Sequence, residues 1–157
     1  MTECIFPGTF DPISVGHEDV IRTAAGLFER VVVAVSQSDG KRPLFAPAQR
    51  LALAEAVAKG YKNVAVVPFS GLLTDLCKAR GATVIVRGLR NIMDYTYESE
   101  LYAVYHDQLP ALKCVYLPAE RTVSGTVIRE LMSLKADYSA YVPPVTLPLL
   151  KAYLAQK

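Results

Sequence analysis

The chain opens with Ile5-Phe6-Pro7-Gly8-Thr9-Phe10-Asp11-Pro12-Ile13-Ser14-Val15-Gly16-His17, and this stretch decides the fold. Its apolar start is typical of a buried strand, its glycine and prolines are typical of a loop, and Gly16 and His17 mark a helix entrance. A strand that leads through a tight loop into a helix offers backbone N–H groups to an anion, so the stretch predicts a phosphate-binding loop. An alternative stays open, in which Thr9 and Ser14 only cap turns and His17 is an interior histidine.

Helix and strand patterns alternate along the rest of the chain. Apolar residues at helical spacing cover residues 16–29, and the β-branched run at 31–35 is typical of a parallel strand covered on both faces. The same patterns predict strands at 64–67, 83–86 and 114–117, helices at 47–59, 72–80 and 95–108, and C-terminal helices at 126–135 and 146–155. We therefore expect a single α/β domain over residues 1–157, built on a doubly wound five-stranded parallel sheet.

A polar segment follows each predicted strand. Ligands of such sheets bind beyond the carboxyl ends of the strands, so these segments should meet at one edge. They are residues 7–17, 36–42, 69–75, 87–94 and 118–126. Arg87 and Arg90 come directly after a buried strand, where guanidinium groups need anionic partners. The sequence therefore predicts an anion-binding site at this edge.

Composition narrows the function classes. The 157 residues carry a formal net charge of +2, and the charged residues are spread along the chain, which argues against a general nucleic-acid binder. Residues 1–3 lack the features of a signal peptide, and no apolar run has the length of a membrane span, so we expect a cytoplasmic protein.

Cys4, Cys77 and Cys114 lie far apart in apolar surroundings and are predicted to be core residues rather than a disulfide framework or a zinc cluster.

Three segments resemble motifs of the nucleotidylyltransferase superfamily. Residues 7–17 are similar to its signature with the (H/T)xGH motif, with Ser14 retaining a hydroxyl where threonine is usual. Residues 87–98 resemble the RGLR-x3-D-[FY]-x-[YF]-E segment of the bacterial phosphopantetheine adenylyltransferase family. Residues 123–129 are similar to the superfamily's ISSTxIR element, with Gly125 in place of a hydroxyl residue and a shorter loop before it.

The resemblance implies a Rossmann-like nucleotidyltransferase fold and a reaction. In that family the adenylyl group of ATP passes to 4′-phosphopantetheine, giving dephospho-coenzyme A and pyrophosphate by direct in-line attack, without a covalent enzyme intermediate. The implied cofactor is Mg²⁺, held mainly by the ATP phosphates, with no side-chain metal ligands expected in the chain. The resemblance also implies a homohexamer and feedback by coenzyme A.

The resemblance further assigns residues position by position. His17 is expected to be the catalytic residue, which stabilises the pentavalent transition state. The residues expected to bind phosphopantetheine are Thr9, Lys41, Leu72, Leu73 and Arg87. The residues expected to bind ATP are Thr9, Phe10, His17, Gly88, Leu89, Arg90, Glu98, Arg121, Thr122, Val123, Ser124, Gly125 and Thr126.

Two other functions remain as alternatives. A transferase of the same fold that acts on nicotinate or nicotinamide mononucleotide usually carries histidine at the position of Ser14 and lacks the segment at 87–98. A regulatory nucleotide-binding module without turnover does not need a transition-state donor, so His17 together with Arg90 argues against it.

Overall fold

Strands and helices alternate in the computed structural model, which describes residues 2–38 and 42–157. The strands are β1 (Glu3–Gly8), β2 (Arg30–Ser36), β3 (Val64–Phe69), β4 (Val84–Leu89) and β5 (Lys113–Pro118). The helices that follow them are α1 (Val15–Leu27), α2 (Pro47–Ala58), α3 (Leu73–Arg80), α4 (Ile92–Gln108) and α5 (Gly125–Ser133). Two 3₁₀ turns at Ser139–Tyr141 and Pro144–Thr146 lead into α6 (Leu147–Ala155). The predicted alternation is confirmed.

The five strands form one parallel sheet in the order β3-β2-β1-β4-β5. Ile5 in β1 pairs with Val32 in β2 on one side and with Ile85 in β4 on the other. The chain therefore winds outward from β1 in both directions, which confirms the doubly wound sheet. The strand order reverses between β1 and β4, and sheets of this kind bind ligands at such a point.

Alternating side chains along the central strands fill two cores, one on each face of the sheet. Cys4 and Phe6 in β1 point into the larger core, which is covered by α1, α2, α5 and α6. Ile5, between them, points into the smaller core, which is covered by α3 and α4. This period of two is the reason that β1 and β2 are apolar at nearly every position.

Helix α4 differs from its prediction, because it begins at Ile92 rather than at residue 95. Asn91 caps it, since the Asn91 side-chain oxygen accepts the N–H of Asp94 at 3.0 Å. The added turn exposes Ile92 and Met93, whose side chains are 80% and 74% exposed. Apolar residues on a solvent-facing turn do not fit an amphipathic pattern, so the pattern predicted too late a start.

Helix α4 is also the least covered helix, because Glu98 is the one buried residue along its described length. Its exposed apolar side chains include Tyr95, Tyr97 and Val104. No helix in residues 2–38 and 42–157 combines the length and the apolar character needed to cross a membrane.

Candidate active site

A cavity of about 480 Å³ opens at the carboxyl ends of β1 and β4. The loop after β1, the end of β4, the start of α4 and the start of α5 all contribute to its walls. Predicted site residues that line it are Thr9, Phe10, His17, Arg87, Gly88, Arg90, Glu98, Val123, Ser124, Gly125 and Thr126. Segments far apart in sequence therefore meet at the strand-order reversal. Four of the five predicted polar segments contribute to the cavity wall, and residues 69–75 do not.

His17 is held by the first turn of α1. The Ser14 hydroxyl accepts the N–H of His17 at 3.2 Å, and the N–H of Ser14 donates to Nδ1 of His17 at 3.0 Å. This reciprocal pair is a capping box in which histidine takes the place of the usual glutamate or glutamine. Ser14, the departure from the family motif, is thus the residue that caps α1.

Burial and two neighbouring arginines determine the protonation of His17, and its contact with Ser14 determines which ring nitrogen carries the hydrogen. Burial, and then the positive charges of Arg87 and Arg90, lower the pKa of His17 from its ordinary 6.5 to about 4. The imidazole is therefore neutral near pH 7, and because Nδ1 accepts from Ser14, the ring hydrogen is on Nε2. The site holds a neutral imidazole whose Nε2–H is free to donate to a ligand in the cavity.

Phe10 packs directly against this imidazole. The two rings meet edge to face with centroids 4.9 Å apart, and Phe10 is only 2% exposed. Its φ of 52° lies in the left-handed region, which is uncommon for a residue with a side chain. A side chain at Gly8 would place a Cβ 3.0 Å from the Phe10 ring, so glycine is needed there for close packing.

Arg87, at the end of β4, is paired within the protein. Its Nε and Nη2 donate to the two carboxylate oxygens of Glu98 at 2.7 and 2.8 Å, and its Nη1 donates to the carbonyl of Pro7 at 2.9 Å. This bidentate geometry fixes the guanidinium plane. Glu98 was predicted beside the nucleotide, and the structure places its carboxylate on Arg87 at the cavity wall.

Arg90 has a comparable partner in Asp94. The Asp94 carboxylate accepts from the backbone N–H of Arg90 at 2.8 Å and from Nε and Nη2 at 3.1 and 3.2 Å. These contacts lower the pKa of Asp94, which partial burial alone would raise. The Nη1 group of Arg90 takes no part in them. A guanidinium carries five N–H donors, so Arg87 and Arg90 both retain donors for a bound anion.

The start of α5 forms the opposite wall. The Ser124 hydroxyl accepts the N–H of Val127 at 3.2 Å, while the N–H groups of Gly125 and Thr126 belong to the part of a helix that has no intrahelical acceptor. Arg129 crosses over Gly125, donating to the carbonyl of Asp11 at 2.7 Å. A Cβ at position 125 would lie 2.8 Å from Nη1 of Arg129, so glycine leaves room for this crossing.

Several predicted residues lie outside the cavity wall. Leu72 is 55% exposed before α3, whereas Leu73 is buried in the smaller core. Leu89 ends β4, where its carbonyl accepts the N–H of Ala119 at 3.1 Å. Thr122 is exposed in the loop after β5. Lys41 lies outside the described residues.

Arg121 is turned toward α1 rather than into the cavity. Its Nη2 and backbone N–H donate to the buried carboxylate of Asp19 at 2.6 and 2.8 Å. Hydrogen bonds from Arg121 and Arg22 lower the pKa of Asp19 against the opposing effect of burial. The loop that was predicted to contact ATP is therefore fastened to the helix that carries His17.

Charged residues of the cavity wall that were not predicted individually are Asp11, Arg42, Asp94 and Arg129, although the first three lie within the predicted polar segments 7–17, 36–42 and 87–94. Arg129 stands four residues after Gly125 on the same helix, so helical spacing could have found it. Arg42 is adjacent in sequence to Lys41. No sequence signal distinguishes Asp11, whose carboxylate accepts the backbone N–H groups of Leu44 and Phe45.

A parallel sheet with an arginine-lined cavity at its strand-order reversal is typical of nucleotide-binding proteins, and the match to a protein family agrees with this geometry. The family described as Cytidylyltransferase-like matches residues 5–131, which span the sheet and every wall of the cavity. The chain is therefore a nucleotidyltransferase.

Its relatives narrow this class. It is 44% identical over 144 residues to the phosphopantetheine adenylyltransferase of Methylobacillus flagellatus, covering 90% of both chains. It is 41% identical over 160 residues to the enzyme of the same name from Nitrosospira multiformis, covering 100% of this chain and 97% of the relative. The chain belongs to the phosphopantetheine adenylyltransferase family.

Solved structures share the fold at lower identity. Thermotoga maritima TmcAL bound with alpha-thio ATP superposes with a TM-score of 0.75 at 14% identity, over 99% of this chain and 56% of that one. The Plasmodium falciparum nicotinic acid mononucleotide adenylyltransferase complexed with NaAD gives a TM-score of 0.68 at 15% identity, over 97% and 95% of the two chains. At these identities the likeness concerns the fold alone.

Proposed function

We propose that this chain transfers the adenylyl group of ATP to 4′-phosphopantetheine, releasing dephospho-coenzyme A and pyrophosphate. The observation that carries the proposal is the neutral His17, whose Nε2–H is available at a helix entrance beside Arg87 and Arg90. Relatives at 40–44% identity that bear the phosphopantetheine name support this acceptor over a mononucleotide. The mononucleotide enzyme from Plasmodium falciparum shares the fold at only 15% identity.

The proposed chemistry is a single in-line displacement. A 4′-phosphate oxygen of the acceptor forms a bond to the α-phosphorus of ATP, and the bond from that phosphorus to the bridging oxygen breaks as pyrophosphate leaves with the electron pair. No protein nucleophile takes part. The enzyme contributes orientation and donors aimed at the oxygens on which charge develops. His17 donates Nε2–H to an α-phosphate oxygen and keeps its proton throughout.

The acceptor side of the site is formed by the loop after β1 and the end of β4. In this proposal Thr9 and the remaining donors of Arg87 hold the 4′-phosphate, with Lys41 from the loop before α2. Arg42 joins them, because it lines the cavity and has no carboxylate partner among the residues that the structure describes. Leu72 and Leu73 flank the entrance of α3 and would contact the pantetheine arm.

The ATP side is formed by β4 and α5. Arg90 offers Nη1 to the polyphosphate, and residues 124–126 offer the free N–H groups of α5 to the outer phosphates. Gly88 lines the cavity, and a Cβ there would lie 3.0 Å from Val20, so glycine lets the end of β4 pack closely against α1 at the proposed nucleotide site. Phe10, Glu98 and Val123 line the cavity around these groups and complete the proposed nucleotide site. Leu89, Arg121 and Thr122 lie outside the cavity wall, and their contact with ATP stays a prediction.

The proposal includes Mg²⁺, which would bind together with ATP. Residues 2–38 and 42–157 contain no group of three His, Cys, Asp or Glu side chains arranged to hold a metal ion. The donors present therefore fit a cation held by phosphate oxygens and water rather than by a carboxylate cage. When bound in this way, Mg²⁺ would neutralise charge on the phosphates.

We also propose that the chain is a cytoplasmic homohexamer inhibited by coenzyme A. Exposed apolar side chains on α4, including Ile92, Met93 and Tyr97, support a self-association surface. Size-exclusion chromatography with light scattering measures the mass directly, and a monomer would contradict this part. Coenzyme A contains the pantetheine arm of the product, so competition with the acceptor in initial-rate assays tests the feedback.

The test of the reaction is a parallel assay of pyrophosphate release from ATP. Phosphopantetheine, nicotinate mononucleotide and nicotinamide mononucleotide are offered separately under the same conditions. Turnover with phosphopantetheine alone is expected. Turnover with a mononucleotide alone would overturn the proposed acceptor, and the absence of turnover with every acceptor would favour a regulatory binding module.

A further inference from the structure

Arg50 is a fully buried arginine in the first turn of α2. Its Nε donates to the carbonyl of Phe45 at 3.1 Å, and its Nη1 donates to the carbonyls of Thr9 at 2.9 Å and Ser36 at 2.6 Å. Burying a charged group is costly unless hydrogen bonds compensate it. This guanidinium therefore joins three chain segments, namely the loop after β1, the end of β2 and the segment before α2.

Asp11 binds the segment before α2, which Arg50 also binds. Its two carboxylate oxygens accept the N–H of Leu44 at 2.9 Å and the N–H of Phe45 at 3.0 Å. The backbone of Phe45 is thus held at its N–H by Asp11 and at its carbonyl by Arg50. Together the two side chains fix residues 9–11 relative to residues 44–45.

The first fixed segment contains a residue in a costly backbone conformation, and another such residue shortly precedes the second segment. Phe10 has a φ of 52° and Arg42 has a φ of 48°, and such conformations cost on the order of 1–3 kcal/mol unless the surroundings hold them. Phe10 directly follows the Thr9 carbonyl that Arg50 binds. Arg42 shortly precedes the Phe45 backbone that Arg50 and Asp11 hold. Both residues line the cavity.

We infer that Arg50 is a positioning residue for the acceptor side of the active site, because its hydrogen bonds to the carbonyls of Thr9, Ser36 and Phe45 fix Thr9 relative to the loop that carries Arg42. The inference rests on the proposed function, which assigns the acceptor phosphate to Thr9 and this loop. Arg50 itself is fully buried and is not part of the cavity wall. Its loss should therefore disturb acceptor binding more than the binding of ATP at β4 and α5.

Arg50→Lys tests this role while retaining the charge. A single ammonium cannot reproduce the planar guanidinium that reaches three carbonyls at once. We expect the kcat/KM for the acceptor to fall by ~10²-fold, the scale for a misplacement of about 1 Å, largely through a higher acceptor KM. The KM for ATP should change less than the acceptor KM, since the proposed contacts with the ATP phosphates lie mainly on β4 and α5. Initial rates of pyrophosphate release, with each substrate varied in turn, give both constants.

Asn63→Ala is the matched control. Asn63 donates to the carbonyls of Ala25 and Phe28 at 2.9 and 3.0 Å, so it makes the same kind of backbone contact at the opposite edge of the sheet. This variant should lower the Tm and leave both KM values unchanged. If folded Arg50→Lys behaves in the same way, with a lower Tm and unchanged kinetic constants, the inference is wrong.

Asp11→Asn provides a second test if Arg50→Lys does not fold. An amide has one acceptor oxygen in place of two, so the N–H of either Leu44 or Phe45 loses its partner. The acceptor KM should rise more than the ATP KM, which is affected only by loss of the 3.8 Å ion pair between Asp11 and Arg129. An unchanged acceptor KM in the folded variant would overturn the inference. If the wild-type protein turns over only a mononucleotide, the proposed acceptor is refuted but the role of Arg50 is not. The KM values of Arg50→Lys for that mononucleotide and for ATP would then decide the role of Arg50.

Discussion

The entrances of α1 and α5 face the same cavity and start in the same way. Ser14 caps α1 and Ser124 caps α5, and each hydroxyl accepts the N–H three residues later at 3.2 Å. They differ at that third residue. His17 returns a hydrogen bond by accepting the N–H of Ser14, whereas Val127 has no side-chain acceptor and is 47% exposed.

The difference gives the two helix entrances different chemistry. At α1 the capping box holds the imidazole in one orientation and one protonation state, so this entrance presents a single directed donor. At α5 the N–H groups of Gly125 and Thr126 remain available, so this entrance is suited to several phosphate oxygens. In the proposed function, the entrance of α1 stabilises the transition state and the entrance of α5 binds phosphate groups.

Removing the directed donor should have the largest effect. His17→Ala is expected to lower kcat by at least ~10²-fold, the scale for losing one transition-state donor, while circular dichroism shows an intact fold. His106→Ala is the control, because His106 is the second histidine of the chain and lies exposed on α4. A kcat of His17→Ala close to that of the wild type would show that His17 has only a structural role.

Crowding the other entrance should have a smaller and different effect. Gly125→Ala would place a Cβ 2.8 Å from Nη1 of Arg129, so the guanidinium must move away from the carbonyl of Asp11. We expect the ATP KM to rise by ~10-fold, the scale for one hydrogen bond to a charged group, with a smaller change in kcat. Steady-state rates with ATP varied measure both.

Gly26→Ala is the control for that substitution, because a Cβ at Gly26 meets no atom within 4 Å. It should leave the ATP KM unchanged. If Gly125→Ala changes kcat far more than the ATP KM, the start of α5 does more than bind ground-state phosphates, and the contrast between the entrances would fail.

The two cap serines offer the smallest and most closely matched comparison. Ser14→Ala and Ser124→Ala should each lower the free energy of unfolding by about 1 kcal/mol, the usual cost of losing an N-cap, as measured by urea denaturation. Their kinetic effects should differ, since Ser14→Ala loosens His17 and acts mainly on kcat, whereas Ser124→Ala acts mainly on the ATP KM. The same kinetic constant changing in both variants would contradict the assignment.

The fold could be predicted from the sequence because the patterns of its elements are local. The apolar runs of β1 and β2 and the helical spacing of apolar residues in α1 predict the sheet and its helices. The polar segments that follow the strands predict where the site lies. The start of α4 was missed because Ile92 and Met93 face solvent. Its cap, Asn91, was the local signal that could have corrected the boundary.

The sequence alone could not predict which charged side chains bind one another. Arg87 and Glu98 were both predicted in the site, yet only packing of α4 beside β4 shows that they bind one another. Arg121 was predicted at the nucleotide, and its contact with Asp19 arises between segments far apart in the chain. Arg50 gave no signal, because an arginine on a surface helix is ordinarily exposed.

The most direct test of the account is the ¹⁵N NMR spectrum of the histidine side chains, recorded in the free protein as the pH is lowered. Because the pKa of His17 is lowered to about 4, its imidazole should remain neutral at pH 6, with the hydrogen on Nε2 and an unprotonated Nδ1. His17→Ala assigns the signal by removing it. A His17 imidazole that becomes protonated at its ordinary pKa of 6.5, or that carries its hydrogen on Nδ1, would contradict the claim that α1 presents a directed neutral donor.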